Sequence, residues 1–91
     1  MRLFLVHAGF YDKNVSEGFY ESHTNYFIAA DDVKEAKKKA KEIHEYKKKK
    51  MHIDGIREIE SVDGYKVVLE RNEKRGQDSG NKYSYDDVKK M

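Results

Sequence analysis

The dipeptide Asp63-Gly64 constrains the fold of this 91-residue chain more than any other feature. It lies between Val62 and Tyr65, and Asp-Gly between residues of high β propensity is among the strongest short-range signals for a hairpin. Two registers are open. A two-residue loop pairs Val62 with Tyr65, whereas a three-residue loop, with Gly64 in the left-handed conformation, pairs Ser61 with Tyr65. We expect the three-residue loop, because it gathers apolar side chains on one face and pairs opposite charges on the other.

The strand that enters this hairpin is less regular. Its apolar residues recur every three positions, which fits neither the period of a strand nor that of a helix well; they are Ile53, Ile56, Ile59 and Val62. Gly55 lies among them, and a glycine inside a strand pattern often marks a bulge. We therefore predict a bulge or bend at Gly55.

Three further elements precede the hairpin. Residues 2–8 are apolar on both faces, which predicts an interior strand, and residues 22–30 form a second strand. Between them lies a glycine-containing loop whose four aromatic residues should fold back over the sheet or contact a partner. Asp31 or Asp32 then caps a helix that runs to about Tyr46 with an apolar stripe at helical spacing. The predicted fold class is α+β, with order β-β-α-β-β, a four-stranded, mostly antiparallel sheet and one helix on one face.

Composition limits the domain organisation and the compartment. The chain is 37% hydrophobic and 40% charged, and it has no cysteine, which excludes disulfides and thiolate metal sites. No apolar run approaches the length of a membrane span, so we expect a cytoplasmic protein that binds no membrane. Residues 1–71 should form a single domain. Residues 72–91 lack apolar side chains over most of their length and are predicted to be a flexible charged tail.

Two pairs of polar residues carry the strongest chemical pattern. Glu21-Ser22-His23 and His52-Ile53-Asp54 each place a histidine and a carboxylate two positions apart, which puts both on one face of a strand. If the strands lie close together, the four side chains converge, with His7 as a fifth member. Imidazole and carboxylate suit zinc, iron, nickel or manganese. The same residues would also serve as an acid–base site, or as hydrogen-bonded residues at strand ends, the most common role for such pairs.

Lysines dominate the segment from Asp32 to Lys50. Nine lysines face four acidic residues there, a local excess of +5 (9 − 4) in a chain whose net charge is only +2. Such a surface suits phosphates, although lysine and glutamate alternate as on an ordinary solvated helix. The candidate polyanion-binding residues are Lys37, Lys38, Lys41, Lys48 and Lys49.

The order of several short motifs resembles that of a bacterial family of uncharacterised proteins, the domain-of-unknown-function family 1543. The motifs are Leu3-Phe4-x-Val6 with Gly9, Glu21-x-His23, Phe27, Ala36-x-x-x-Ala40, His52-x-Asp54 and Val62-Asp63-Gly64-Tyr65. The resemblance covers about residues 2–70. It implies an α+β domain that sometimes occurs twice in one chain, and it implies no agreed activity, cofactor or catalytic residue.

These observations predict a protein of unknown biochemical function, more a small binding or assembly module than an enzyme. One narrow helix stripe covers little of a four-stranded sheet, so we expect a homodimer that buries the remaining apolar face. Two alternatives stay open. One is a divalent-metal or small hydrolytic site built from Glu21, His23, His52 and Asp54, and the other is nucleic-acid binding through the lysine-rich helix.

Overall fold

The computed structural model describes residues 1–73 and 78–91. Eight regular elements follow one another within these described residues. They are β1 (Arg2–Tyr11), β2 (Glu21–Ala30), α1 (Val33–Lys41), α2 (His44–Lys48), β3 (His52–Ile59), β4 (Ser61–Val62), β5 (Tyr65–Lys66) and α3 (Tyr85–Lys89), with a short 3-10 turn at Ser16–Gly18. In the described residues, no helix is both long and apolar enough to cross a membrane.

The main sheet has three antiparallel strands in the order β2-β1-β3. The interior position predicted for the first strand is confirmed, because β1 pairs with β2 on one side and with β3 on the other. Strand β1 is longer than expected and extends to Tyr11, so that the following loop begins only at Asp12. Phe10 consequently lies in the strand and is buried, whereas Phe19 and Tyr20 in the loop remain exposed.

The core lies between the sheet and the first two helices. Alternate residues of β1 point to this side, and Phe4 and Val6 pack with Ala36 and Ala40 of α1. The two alanines are fully buried, and their small side chains let the helix backbone approach the sheet closely. In the part of the chain that the structure describes, α1 and α2 both lie on this side of the sheet.

The helix predicted to run to Tyr46 is instead two helices. Ile43 separates them with an extended backbone (φ −65°, ψ 131°), and its side chain packs against both parts of the core. Burial of the Ile43 side chain against the core therefore breaks the helix at a point where the sequence pattern alone favours a continuous one. The predicted cap is confirmed at Asp32, whose side chain accepts a hydrogen bond of 2.8 Å from the backbone N–H of Glu35.

The hairpin forms at the predicted position but in the other register. Val62 pairs with Tyr65, so the loop has two residues and the expected three-residue loop is wrong. Asp63 (φ 52°) and Gly64 (φ 81°) both have positive φ, as in a type I′ turn, whose twist matches that of the flanking strands. This local preference decides the register.

The predicted four-stranded sheet is also not observed, although the α+β class is confirmed. Strands β4 and β5 form a separate two-stranded sheet, and residues 67–73 contain no strand. A two-residue strand leaves too few backbone groups to extend the main ladder. The sheet that carries the candidate site therefore consists of β1, β2 and β3 alone.

Only part of the predicted tail can be described, because residues 74–77 of the segment 72–91 lie outside the described residues. Residues 78–91 are all exposed, and they include helix α3. Ser84 caps this helix reciprocally with Asp87, whose pKa is lowered by the hydrogen bonds from the backbone and side chain of Ser84.

Candidate metal centre

The two histidine–carboxylate pairs lie on the same face of the sheet, opposite the helices. The register of the sheet explains this placement. Gly9 in the central strand pairs with His23 of β2 and with His52 of β3, so the three residues form one row across the sheet. Directly paired residues of neighbouring strands point to the same face. Glu21 lies two residues from His23 on this face.

A β-bulge places Asp54 in this group. His7 pairs with Gly55 and Ala8 pairs with Ile53, which leaves Asp54 as the extra residue of β3. The bulge predicted at Gly55 is therefore present, one residue earlier. A bulge bends its strand and redirects side chains, and here it lets the Asp54 carboxylate reach the histidines of both outer strands.

The four side chains meet in an alternating arrangement of nitrogen and oxygen atoms. Nε2 of His52 lies 2.7 Å from Oε1 of Glu21 and 3.1 Å from Oδ1 of Asp54. Nε2 of His23 lies 3.3 Å from the same Glu21 oxygen and 3.2 Å from Oδ2 of Asp54. The structure thus brings together the four side chains whose convergence we considered from the sequence. We call them the His/carboxylate cluster: Glu21, His23, His52 and Asp54.

Gly9 makes this convergence sterically feasible. Neighbouring strands lie about 4.8 Å apart, so side chains from β2 and β3 can meet only by leaning over β1 between them. A Cβ atom on Gly9 would lie 2.8 Å from both Oδ2 of Asp54 and Nε2 of His52, and it would overlap Oε1 of Glu21. The cluster therefore occupies the volume that any other residue at position 9 would fill.

His7 and Asn25 extend the cluster along the sheet. The imidazole rings of His7 and His23 stack with their centroids 4.9 Å apart and their planes within 8°. Nδ1 of His7 lies 2.8 Å from Oδ1 of Asn25. Since a carbonyl oxygen can only accept, Nδ1 donates this hydrogen bond, and in a neutral imidazole the lone pair is then on Nε2.

The cluster is accessible and has a charge suited to a cation. Between 29% and 48% of each of its four side chains is exposed, so an ion can enter from solvent while the ligands are partly desolvated. With both carboxylates ionised and both imidazoles neutral, the formal charge is −2. A divalent cation would neutralise it, and so would protonation of the two histidines.

Three of the four N···O separations within the cluster lie in the range of a coordination shell, and the fourth, from His52 to Glu21, is shorter and is that of a direct hydrogen bond. Nitrogen and oxygen ligands lie about 2.0–2.2 Å from a metal such as zinc, which places neighbouring ligand atoms about 3–3.5 Å from one another. The observed N···O distances run from 2.7 to 3.3 Å. The five residues provide two overlapping triads whose ligand atoms lie within 4.8 Å of one another: Glu21, His52 and Asp54, and His7, His23 and Asp54.

The lysines proposed as a polyanion-binding surface belong to the helices that cover the other face of the sheet, except Lys49, which follows α2 directly. Lys37 and Lys41 line a surface cavity of about 500 Å³ beside Tyr46 and Met51. Nζ of Lys49 lies 4.7 Å from the centre of the Phe10 ring. Lys38 and Lys48 are exposed. His52 of the His/carboxylate cluster also lines the cavity formed by Lys37 and Lys41.

Two residues of the site were missed from the sequence. Asn25 continues the alternation of Glu21 and His23 by one more step, so strand spacing alone would have found it. Gly9 belongs to the apolar first strand, where a glycine indicates close approach of other groups to the backbone. Both patterns are present in the sequence, but neither identifies a functional residue until the neighbouring strands are known.

Fold and site together define a small α+β domain with a His/carboxylate cluster on the uncovered face of a three-stranded antiparallel sheet. The family model for Domain of Unknown Function (DUF1543) matches residues 18–69, and the chain belongs to this family of unknown biochemical function. The matched segment contains all four residues of the cluster, whereas His7 and Gly9 precede it. Neither the search of curated proteins nor that of solved structures found a match.

Proposed function

We propose that this domain is a divalent-metal-binding module, with Glu21, His52 and Asp54 as protein ligands and His23 in contact with both carboxylates. One observation carries the proposal. Ligand atoms from both outer strands lie 2.7–3.3 Å apart above the one central residue that has no side chain. In this arrangement the two outer strands contribute the ligands, and the central strand contributes the glycine above which they meet.

The ligand types indicate the class of metal. Imidazole with carboxylate suits Mn²⁺, Fe²⁺, Ni²⁺ and Zn²⁺, and the absence of cysteine disfavours sites that need thiolates. All protein ligands come from the sheet below, so the solvent side is left for water or for an external ligand. We propose metal binding as the function of the cluster.

Thermal unfolding of metal-free protein with added Zn²⁺, Ni²⁺ or Mn²⁺ tests the proposal. A ligand at 100 times its Kd that binds only the folded state adds about 2.7 kcal/mol. For a domain of this size, that corresponds to an increase in Tm of about 10–20 °C. The double variant His23→Ala/His52→Ala should lose the increase.

His44→Ala is the matched control, because His44 begins helix α2 outside the cluster. This variant should respond to metal like the wild-type protein. Two results would refute the proposal: no metal raises the Tm of the wild-type protein, or the double variant responds as strongly as His44→Ala.

A further inference from the structure

We propose that the cluster binds two metal ions, bridged by the carboxylate of Asp54. The inference rests on the proposed metal-binding function and adds a second ion, held by His7, His23 and Asp54. The two triads described above share only Asp54, and each brings its ligand atoms within 4.8 Å of one another.

The orientation of Asp54 supports a bridge. Its two oxygens face different histidines: Oδ1 lies 3.1 Å from Nε2 of His52, and Oδ2 lies 3.2 Å from Nε2 of His23. A carboxylate oriented in this way presents one oxygen to each of two ions. In two-metal sites the ions lie about 3.5–4 Å apart, a separation that one bridging carboxylate can span.

The surroundings of His7 also suit a ligand. Metal-binding histidines almost always donate their second ring N–H to an oxygen, which fixes the tautomer and the ring orientation. The hydrogen bond from His7 Nδ1 to Asn25 Oδ1 has this form, and it leaves Nε2 available to a metal. Stacking against His23 holds the two rings parallel.

The two ions would have different ligand sets. One triad contains two carboxylates and one imidazole, whereas the other contains one carboxylate and two imidazoles. Each ion would have three protein ligands, so both would keep coordination positions for water on the open side of the sheet. An oxyanion that bridges two divalent ions is the class of external ligand that such a pair binds.

Metal stoichiometry and spin coupling test the inference. Elemental analysis of the 91-residue protein, equilibrated with Zn²⁺ and separated from free metal, should give two ions per chain. His7→Phe keeps a flat ring beside His23 but removes the nitrogen ligand, and it should bind one. Two Mn²⁺ ions bridged by Asp54 should give an exchange-coupled electron paramagnetic resonance spectrum, whereas His7→Phe should give the six-line spectrum of an isolated ion.

Asn25→Ala is the second variant. It should lower the affinity for the second ion by about 10–100-fold and leave the affinity for the first ion unchanged, because the amide orients His7 without contacting metal. His44→Ala should bind two ions like the wild-type protein.

The failures of the two proposals differ. One ion in both the wild-type protein and His7→Phe would overturn the second site and leave metal binding intact, whereas no bound ion would overturn both. Two uncoupled Mn²⁺ ions would overturn the Asp54 bridge.

Discussion

Nε2 of His52 lies 2.7 Å from Oε1 of Glu21, although the two residues are 31 positions apart and belong to strands that do not pair with each other. The contact crosses the central strand at its glycine. A polar contact of this kind forms only if β2 and β3 both pair with β1 in the observed register. It is the basis of the candidate metal centre.

Gly9→Ala should abolish the metal-dependent increase in Tm. The added methyl group would overlap the Glu21 carboxylate and lie 2.8 Å from ligand atoms of both Asp54 and His52, so the ligands must move apart. Gly55→Ala is the matched control, because a Cβ atom there meets nothing within 4 Å. Metal titrations followed by thermal unfolding compare the two variants. An undiminished response in Gly9→Ala would contradict the role assigned to this glycine.

Tyr26 should make stability pH-dependent in the alkaline range. Burial, together with the hydrogen bond that its hydroxyl donates to Glu45, raises its pKa to about 12 from the ordinary value of 10. Since the folded state favours the neutral phenol, the stabilisation is complete below about pH 10 and is lost as the pH rises towards 12. Urea unfolding at pH 8, 10 and 11.5 should therefore show that wild-type protein and Tyr26→Phe differ most at pH 8 and least at pH 11.5.

Tyr20→Phe serves as the control for this experiment, because Tyr20 is exposed in the loop. It should follow the wild-type protein at all three pH values. A difference between wild-type protein and Tyr26→Phe that stays constant with pH would show that the hydroxyl does not titrate as inferred.

The homodimer expected from the sequence stays a prediction, and we propose that a second copy covers the apolar end of the sheet face opposite α1 and α2, and that the His/carboxylate cluster at the other end of this face stays open to solvent. Phe27 lies there, 71% exposed and paired with Leu5 of the central strand. Leu3 and Ile59 on the same face are only half-buried. Exposed apolar surface of this kind favours association.

Sedimentation equilibrium at micromolar concentration should give twice the chain mass of 10.7 kDa. Phe27→Ser should shift the protein towards monomer, whereas Phe19→Ser, which changes an exposed residue of the loop, should not. A wild-type protein that sediments as a monomer would contradict the dimer.

Removal of the residues after Asn72 should leave the Tm within about 4 °C of that of the 91-residue chain. Residues 78–91 are exposed throughout, so their loss uncovers little apolar surface, and a change below about 0.5 kcal/mol is typical of surface changes in a domain of this size. Differential scanning calorimetry of both chains measures the difference. A decrease of 5 °C or more would show that the removed segment stabilises the folded domain.

Local patterns along the chain predicted the three strands of the main sheet, the Asp32 cap, the position of the hairpin and the spacing within each histidine–carboxylate pair. These features depend on neighbouring residues only. The choice between hairpin registers was wrong because side-chain pairing was given more weight than the twist of a two-residue turn at Asp63-Gly64. The break at Ile43 could not be predicted, since it depends on packing against strands that are distant in sequence.

Glu21 and His23 share one strand face, as do His52 and Asp54, because alternation along a strand is a property of the backbone, and this could be predicted from the sequence. That the two pairs meet follows from the tertiary structure. Their meeting depends on β3 pairing with β1 rather than with the strand that follows it, on the bulge at Asp54, and on Gly9 lying between them. Each of these is a relation between segments that are distant in sequence and that burial of the core on the opposite face of the sheet brings together. A local sequence pattern does not specify which strands become neighbours in this way.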